Sequence, residues 1–297
     1  MAPKNGSSRV VVTGATGLLG RAVVDSLHRE GFDVVTHSRG SDSQVHVDLS
    51  DPQATGELLS RLAPGTVLNL AAWTDVDGCE REPHKAYQDN FQSVHSICSW
   101  IATAGQGCHL VHVSTDQVYD GLGPHVESDT RVRNCYAFSK IAAEAVASGV
   151  GATIVRTNFF GRSQTVLRKS FTDWLYDRAT SGEPFQVFTD VMFNPLPIDT
   201  LARRLVDCIE VRPGCLMNLG SRGGVSKADF AFLFAEAAGL DTSLAMAIPI
   251  SPGTTLLARR PLDMRMNVQR YEEVMHTHLP ALEDEIFRIG KTYRELS

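Results

Sequence analysis

The stretch that decides the fold is Val10-Val11-Val12-Thr13-Gly14-Ala15-Thr16-Gly17-Leu18-Leu19-Gly20. Its β-branched run predicts a buried strand, and apolar residues at helical spacing predict an amphipathic helix that continues to Glu30. Glycines between them allow a tight turn, close approach of main-chain N–H groups to a pyrophosphate, and close packing of helix and sheet. This order of elements therefore predicts a dinucleotide-binding site. Its candidate cofactor contacts are Gly14, Thr16, Gly17, Leu18, Leu19 and Gly20.

Outward from this motif, short apolar runs alternate with helical patterns. The further predicted strands are Phe32 to His37, Val45 to Val47, Thr66 to Ala71, His109 to Val113 and Thr153 to Arg156. The alternation predicts an α/β fold, a doubly wound parallel sheet of the Rossmann type. After Gly161 the alternation weakens, which favours a smaller, partly discontinuous α/β substrate-binding domain. We expect residues 1–160, with about 195–220, to bind the dinucleotide and residues 161–297 to bind the substrate.

The end of the second predicted strand indicates which dinucleotide is bound. An NAD site carries an acidic residue there, about 20 residues beyond the glycine turn, which binds the ribose hydroxyls. This sequence has Ser38-Arg39 instead, and a guanidinium offers planar, forked donors to a 2′-phosphate. We therefore predict NADP(H) rather than NAD(H). Asp48-Leu49 is placed to flank the adenine, although Asp48 is equally suited to capping the following helix.

A second motif combines a phenol and an amine. Tyr136 and Lys140 are four residues apart, so on a helix their side chains lie on one face. A free phenol, with a pKa of about 10, exchanges protons poorly at neutral pH, and a neighbouring ammonium stabilises its phenolate. Thr115 follows a predicted strand, and open α/β sheets bind ligands at the carboxyl ends of strands. We expect Thr115 to hold a carbonyl oxygen while Tyr136 gives it a proton.

Together these motifs resemble the extended short-chain dehydrogenases/reductases and, more narrowly, the dTDP-4-dehydrorhamnose reductase family. The narrower resemblance rests on Ala71 to Asp77 with Glu80, on VSTDQVYDG at 113–121, on Arg156-Thr157 and on Arg260-Pro261. It spans most of the chain and is densest before Gly161. The resemblance implies an NADP-dependent oxidoreductase that reduces the C4 ketone of a nucleotide-linked 6-deoxy-4-keto sugar, as in dTDP-rhamnose biosynthesis.

The resemblance also implies roles for individual residues. Thr115, Tyr136 and Lys140 would be catalytic, with Lys140 also holding the nicotinamide ribose, and Ala71 and Ala72 would line the cofactor channel. The candidate substrate-binding residues are Thr74, Asp116, Gln117, Asn158, Phe159 and Arg260. Of these, Arg260 is suited to a diphosphate, although Asp263 or solvent would satisfy it equally well.

The sequence departs from the family pattern in three places. Gln117 stands where the family usually has an aromatic residue, and Asn158-Phe159-Phe160 follow Arg156-Thr157 where the family often has a Trp. Ala22 replaces an acidic residue that helps some members to bind magnesium, so no metal is predicted. These departures leave the reductase chemistry in place and leave the sugar unidentified.

Composition and charge exclude other classes of protein. The 297 residues carry 28 Lys and Arg against 34 Asp and Glu, a net charge of −6, which excludes a nucleic-acid-binding surface. No apolar run approaches the about 18 residues of a membrane span, and the polar N-terminus lacks a signal-peptide pattern. The 6 cysteines show no C-x-x-C spacing, which is typical of reduced thiols. We expect a cytoplasmic enzyme with a nucleotide-sugar substrate, and a homodimer stays an open option.

Two alternatives stay open. Nucleotide-sugar dehydratases and epimerases resemble this fold, but the dehydratases place a Glu where this chain has Gln117, and the epimerases hold NAD, against which Ser38-Arg39 argues. A non-catalytic NADP-binding regulatory subunit, like that of methionine adenosyltransferase, also resembles the family. The intact Thr115, Tyr136 and Lys140 favour the enzyme over this subunit.

Overall fold

The structure is a computed structural model that describes residues 9–40, 42–165, 168–250 and 256–295. The chain divides into two compact units. Unit 1 contains the described part of Met1–Thr115 together with Asn134–Arg156 and Ala202–Met217. Unit 2 contains Asp116–Arg133, Thr157–Leu201 and the described part of Asn218–Ser297. Residues 116–133, which the sequence places in the dinucleotide-binding domain, thus lie in unit 2.

The secondary structure follows the predicted alternation of strands and helices. The strands are β1 Val10–Thr13, β2 Val34–His37, β3 Thr66–Asn69, β4 His109–Thr115, β5 Thr153–Thr157, β6 Phe159–Phe160, β7 Phe185–Phe188, β8 Met192–Phe193, β9 Leu196–Pro197, β10 Leu216–Leu219, β11 Val225–Ser226 and β12 Ala245–Ile248. The helices are α1 Leu18–Arg29, α2 Pro52–Leu62, α3 Val76–Arg81, α4 Pro83–Ala86, α5 Ser93–Thr103, α6 Cys135–Gly149, α7 Phe171–Thr180, α8 Ile198–Val211, α9 Lys227–Ala238, α10 Gln269–Met275 and α11 Leu282–Arg294. A π-helical segment, Tyr87–Gln92, joins α4 to α5, and a 3₁₀ turn, Asp116–Val118, follows β4.

The largest sheet has six parallel strands in the order β10-β5-β4-β3-β1-β2, which confirms the predicted Rossmann-like fold. Most residues of its strands are buried, the polar ones included, because a parallel sheet is covered on both faces. In register, Thr13 of β1 lies opposite Asn69 of β3, and Asn69 lies opposite His112 of β4. The carboxyl ends of these three neighbouring strands therefore meet at one edge of the sheet, where ligands bind in such folds.

One predicted strand is wrong. Instead of a third strand at residues 45–47, the structure has a single bridge between Val45 and His37. The physical reason is exposure, because Gln44 and His46 both face solvent and so bury little apolar surface beside β2. The His37 ring contacts the Val47 main-chain oxygen at 3.0 Å, which fixes this segment without a ladder of hydrogen bonds.

Unit 2 is organised around an aromatic core rather than a large sheet. Phe160 and Phe230 meet edge to face with ring centroids 4.9 Å apart, and Phe234 meets Tyr293 in the same way at 5.0 Å. Its strands form three small pairs, β11 with β8, β12 with β7, and β6 with β9. Helices α9 and α11 pack so closely that a Cβ at Gly290 would lie 2.5 Å from the Ala237 Cβ, which explains the glycine.

Candidate active site

The glycine turn after β1 has the geometry of a dinucleotide cradle. Gly14 has φ +68°, and a Cβ there would lie 2.9 Å from the Ala71 nitrogen, so a side chain would be both strained and crowded. At Gly20 a Cβ would lie 2.3 Å from the Gly14 oxygen. Gly17 is the N-cap residue of α1 and provides no side-chain hydrogen bond, and the first turn of α1 contains no acidic residue. The turn thus presents helix N–H groups and their positive dipole end, which fits a pyrophosphate.

The predicted 2′-phosphate residues lie at the end of β2 but differ in exposure. Ser38 is buried, and its hydroxyl donates to the Gly40 oxygen at 3.0 Å. The Arg39 side chain is 62% exposed and pairs with Asp89 at 3.0 Å, while Lys85 pairs with the same carboxylate at 3.2 Å. Arg39 is therefore at the predicted position, with Asp89 as its partner in this structure.

The predicted adenine contacts have other partners. Asp48 accepts hydrogen bonds from the main chain and hydroxyl of Ser50, which lower its pKa. The cap of α2 is Asp51, which accepts from the nitrogens of Gln53 and Ala54. The Leu49 side chain is 5% exposed and belongs to the apolar core, so only its main chain is available to a cofactor.

The segment after β3 is fixed at both ends. Ala71 donates its N–H to the Thr13 hydroxyl at 3.3 Å, next to the glycine turn, and Ala72 follows it, half-buried. Asn90 holds the main chain of Trp73 through two hydrogen bonds and donates to the Ser139 hydroxyl at 2.9 Å. This segment is thereby tied to α6. Thr74, a candidate substrate residue, is exposed on the same segment.

The Tyr136 and Lys140 pair lies on the first turns of α6, which begins at the Asn134 cap. Lys140 donates from Nζ to the Val113 oxygen at 2.9 Å. Because Val113 lies two residues before Thr115, this bond ties α6, which carries Tyr136 and Lys140, to the end of β4, which carries Thr115. Thr115, Tyr136 and Lys140 are all buried, at 6%, 7% and 2% exposure. Burial lowers the pKa of Lys140 to about 8, and the charge of Glu144 opposes that shift.

Glu144 anchors α6 to strands β4 and β5 of the sheet. Its carboxylate receives two hydrogen bonds from Arg156 of β5, at 2.9 and 2.6 Å, and one from the Ser114 hydroxyl at 2.5 Å. All three side chains are buried. The sequence motifs did not single out Glu144. Its only signal was its position one turn after Lys140 on a helix of small residues.

A second buried polar chain crosses the central strands. The Thr13 hydroxyl donates to the Asn69 oxygen at 2.5 Å, and the Asn69 amide donates to the Nδ1 of His112 at 3.0 Å. Burial and the nearby Lys140 charge hold the pKa of His112 well below its usual value, so the imidazole is neutral. This chain fixes the carboxyl ends of β1, β3 and β4 relative to one another.

In unit 2, the structure brings several substrate candidates together. Asp116 is buried and accepts the Asn158 amide at 2.7 Å, and Asn158 in turn accepts the Phe159 N–H at 2.8 Å. Gln117 lies in the 3₁₀ turn directly after Asp116, and Phe159 is half-buried in β6. The Arg260 guanidinium donates to the Ala258 oxygen at 2.9 Å. The charges of Asp116 and Arg260 both act on Lys227, which the sequence motifs did not single out.

The comparisons with known proteins agree with this geometry. The family model described as the RmlD substrate binding domain matches residues 8–295. The chain belongs to this family. It is an extended short-chain dehydrogenase/reductase-like protein whose relatives include dTDP-4-dehydrorhamnose reductases, as its motifs predict.

Two curated relatives and one solved structure illustrate the likeness. The probable low-salt glycan biosynthesis reductase Agl14 of Haloferax volcanii is 28% identical, covering 96% of this chain and 98% of that protein. A dTDP-4-dehydrorhamnose reductase of Mycobacterium tuberculosis is 32% identical over 79% of this chain and 77% of its own. The dTDP-4-dehydrorhamnose reductase of Bacillus anthracis in complex with NADP has a TM-score of 0.84 at 22% identity, covering 95% and 98% of the two chains, and this likeness shows the fold.

In the described ranges, no group of three or more His, Cys, Asp or Glu side chains is arranged to hold a metal ion. Across those ranges, too, no helix combines the length and apolar character that crossing a bilayer requires.

Proposed function

We propose that this protein is an NADPH-dependent reductase of the C4 ketone of a nucleotide-linked 6-deoxy-4-keto sugar, with Tyr136 as the proton donor. The observation that carries the proposal is the hydrogen bond from Lys140 to Val113. It holds the buried Lys140 amine, one helical turn from Tyr136 on α6, against β4, the strand that ends in Thr115. Membership of the RmlD family supports the same substrate class.

The glycine turn supports a nicotinamide dinucleotide as the cofactor, because main-chain N–H groups at the start of α1 suit its pyrophosphate. Ser38 and Arg39 are the residues for a 2′-phosphate, and binding there replaces the Asp89 partner of Arg39. Ala71 and Ala72 line the nicotinamide side of the turn. When bound, the reduced cofactor supplies the hydride to the sugar carbon.

The remaining chemistry belongs to side chains of this chain. Thr115 donates a hydrogen bond to the ketone oxygen, and Tyr136 transfers its phenolic proton to that oxygen as negative charge develops there. Lys140, in its ammonium form, stabilises the phenolate that Tyr136 becomes. Glu144 favours that charged form of Lys140. Thr74, Asp116, Gln117, Asn158, Phe159 and Arg260 are proposed to bind the sugar nucleotide.

The proposal is tested by mixing the purified protein with NADPH and dTDP-4-keto-6-deoxy sugar and following the loss of NADPH absorbance. Tyr136→Phe should lower kcat at least ~10²-fold, since it removes the general acid. Tyr87→Phe is the matched control, because Tyr87 is an exposed tyrosine of the same unit and should keep wild-type turnover.

Three results would contradict this function. Undiminished turnover in Tyr136→Phe would reject the mechanism. No NADPH oxidation across a panel of nucleotide sugars would favour a non-catalytic NADP-binding subunit. Product formed from a nucleotide sugar without net consumption of NADPH would favour a dehydratase or an epimerase.

A further inference from the structure

Lys227, the first residue of α9, is a half-buried cation without a counter-ion bond. Its Nζ lies 5.7 Å from the centroid of the Phe171 ring. Within the described residues, no hydrogen bond or ion pair reaches this Nζ. Burial lowers the pKa of Lys227, the Arg260 charge lowers it further, and Asp116 raises it. A lysine in these surroundings gains its charged form when an anion binds beside it.

The main chain of unit 2 explains why Lys227 and Arg260 are neighbours. The short strand β8 lies between their two segments. On one side Ser226 pairs with Met192, and Lys227 donates its main-chain N–H to the Val191 oxygen at 2.9 Å. On the other side Met192 donates to the Leu262 oxygen at 2.7 Å. The two segments that carry Lys227 and Arg260 thus flank one strand and are held to it by main-chain hydrogen bonds.

Asp116 is the third charged residue of this group, beside Lys227 and Arg260. Its Asn158 hydrogen bond holds a buried carboxylate and an amide together, a pair suited to sugar hydroxyl groups. The charges of Asp116 and Arg260 both act on Lys227, so it is close both to the pair suited to sugar hydroxyl groups and to the cation proposed for the diphosphate. In a nucleotide sugar, the phosphate bonded directly to the sugar lies between the sugar and the second phosphate.

We propose that Lys227 binds the sugar-proximal phosphate of a nucleoside-diphosphate sugar, with Arg260 as the second cation on the diphosphate. The inference rests on the proposed function only in that the substrate is a nucleotide sugar. A diphosphate carries two anionic groups, and the segments on either side of β8 supply two cations, one for each phosphate. Ammonium–phosphate hydrogen bonds are strong because both partners are charged.

The test compares ligands that differ by this one phosphate. The Kd values of dTDP and dTMP, and of UDP and UMP, are measured by calorimetry for the wild type, Lys227→Met, Lys227→Arg and Lys291→Met. Lys291 is an exposed lysine of α11 in the same unit, so its variant controls for the loss of one positive charge. Lys227→Met should weaken diphosphate binding at least ~10-fold and change monophosphate binding less than ~2-fold. Lys227→Arg should keep most of the affinity, and Lys291→Met should match the wild type.

Three outcomes would overturn the assignment. The first is unchanged diphosphate binding in Lys227→Met, and the second is an equal loss of affinity for monophosphates and diphosphates in that variant. The third is a wild-type protein that binds neither dTDP nor UDP more tightly than the corresponding monophosphate. Thermal denaturation shows whether Lys227→Met is folded, and Lys227→Gln replaces it if it is not. No turnover enters these measurements. If diphosphate binding depends on Lys227 as expected but no NADPH is oxidised, the reductase is rejected and the anion site stands. If NADPH is oxidised but diphosphate binding does not depend on Lys227, the anion site is rejected and the reductase stands.

Discussion

The Nζ of Lys140 lies 2.9 Å from the main-chain oxygen of Val113, two residues before the end of β4. The bond places a buried amine at the edge of the sheet where three strands end. Burial lowers the pKa of this amine to about 8. Its charge therefore changes within the range over which enzymes are assayed, and the proposed role of Lys140 has a direct pH signature.

We expect kcat for ketone reduction to fall as the pH rises through about 8, because neutral Lys140 no longer stabilises the Tyr136 phenolate. Glu144→Gln removes the charge that opposes the downward shift, so the alkaline limb should move to lower pH. Glu57→Gln, on the exposed face of α2, is the control and should keep the wild-type profile. A Glu144→Gln limb at the same or higher pH would show that Glu144 does not act on Lys140.

The buried pair of Glu144 and Arg156 predicts a stability effect. Glu144→Gln leaves the Arg156 guanidinium, 3% exposed, without its carboxylate and should lower the free energy of unfolding by about 3 kcal/mol. The double variant Glu144→Leu with Arg156→Met should lose less than the sum of its single variants, since no unpaired charge stays buried. Urea unfolding measures all of these variants, and additive losses would contradict a coupled pair.

The glycine turn predicts a cofactor-binding defect. Gly20→Ala would bring a Cβ to 2.3 Å from the Gly14 oxygen, so the turn must shift and NADPH binding should weaken more than ~10-fold. Gly56→Ala in α2 meets open space and should leave NADPH binding unchanged while adding up to about 1 kcal/mol to stability. Fluorescence titration with NADPH gives both Kd values. Wild-type binding by Gly20→Ala would show that the turn does not hold the pyrophosphate.

Cofactor preference depends on Arg39 and its partner Asp89. Arg39→Ala should weaken NADPH binding ~10-fold or more and leave NADH within ~2-fold, since only NADPH carries the 2′-phosphate. Asp89→Asn removes the carboxylate that holds Arg39 at 3.0 Å and should tighten NADPH binding. Titrations with both cofactors test this. Equal losses for NADPH and NADH in Arg39→Ala, or similar wild-type affinities for the two, would contradict an NADP(H) site.

The sequence alone was enough to predict the parallel sheet, the glycine turn and the helix that carries Tyr136 and Lys140. These features depend on local patterns, namely β-branched runs, glycines where a Cβ cannot fit, and side chains one helical turn apart. The prediction of a third strand was wrong because strand propensity is a property of the local sequence, whereas burial depends on the tertiary structure. Val45 has strand propensity, yet its neighbours Gln44 and His46 face solvent, and only a single bridge to β2 forms.

Tertiary structure decided the pairings between residues far apart in the chain. Three sets of contacts join segments that no rule of local sequence spacing connects. They are Glu144 with Arg156, Arg39 with Asp89, and Lys227 with its neighbours across β8. Such pairings are set by which strand lies beside which and by which charges are removed from water together. Local sequence therefore determined the elements and the motif that defines the family, and long-range packing determined the charge state and partners of its side chains.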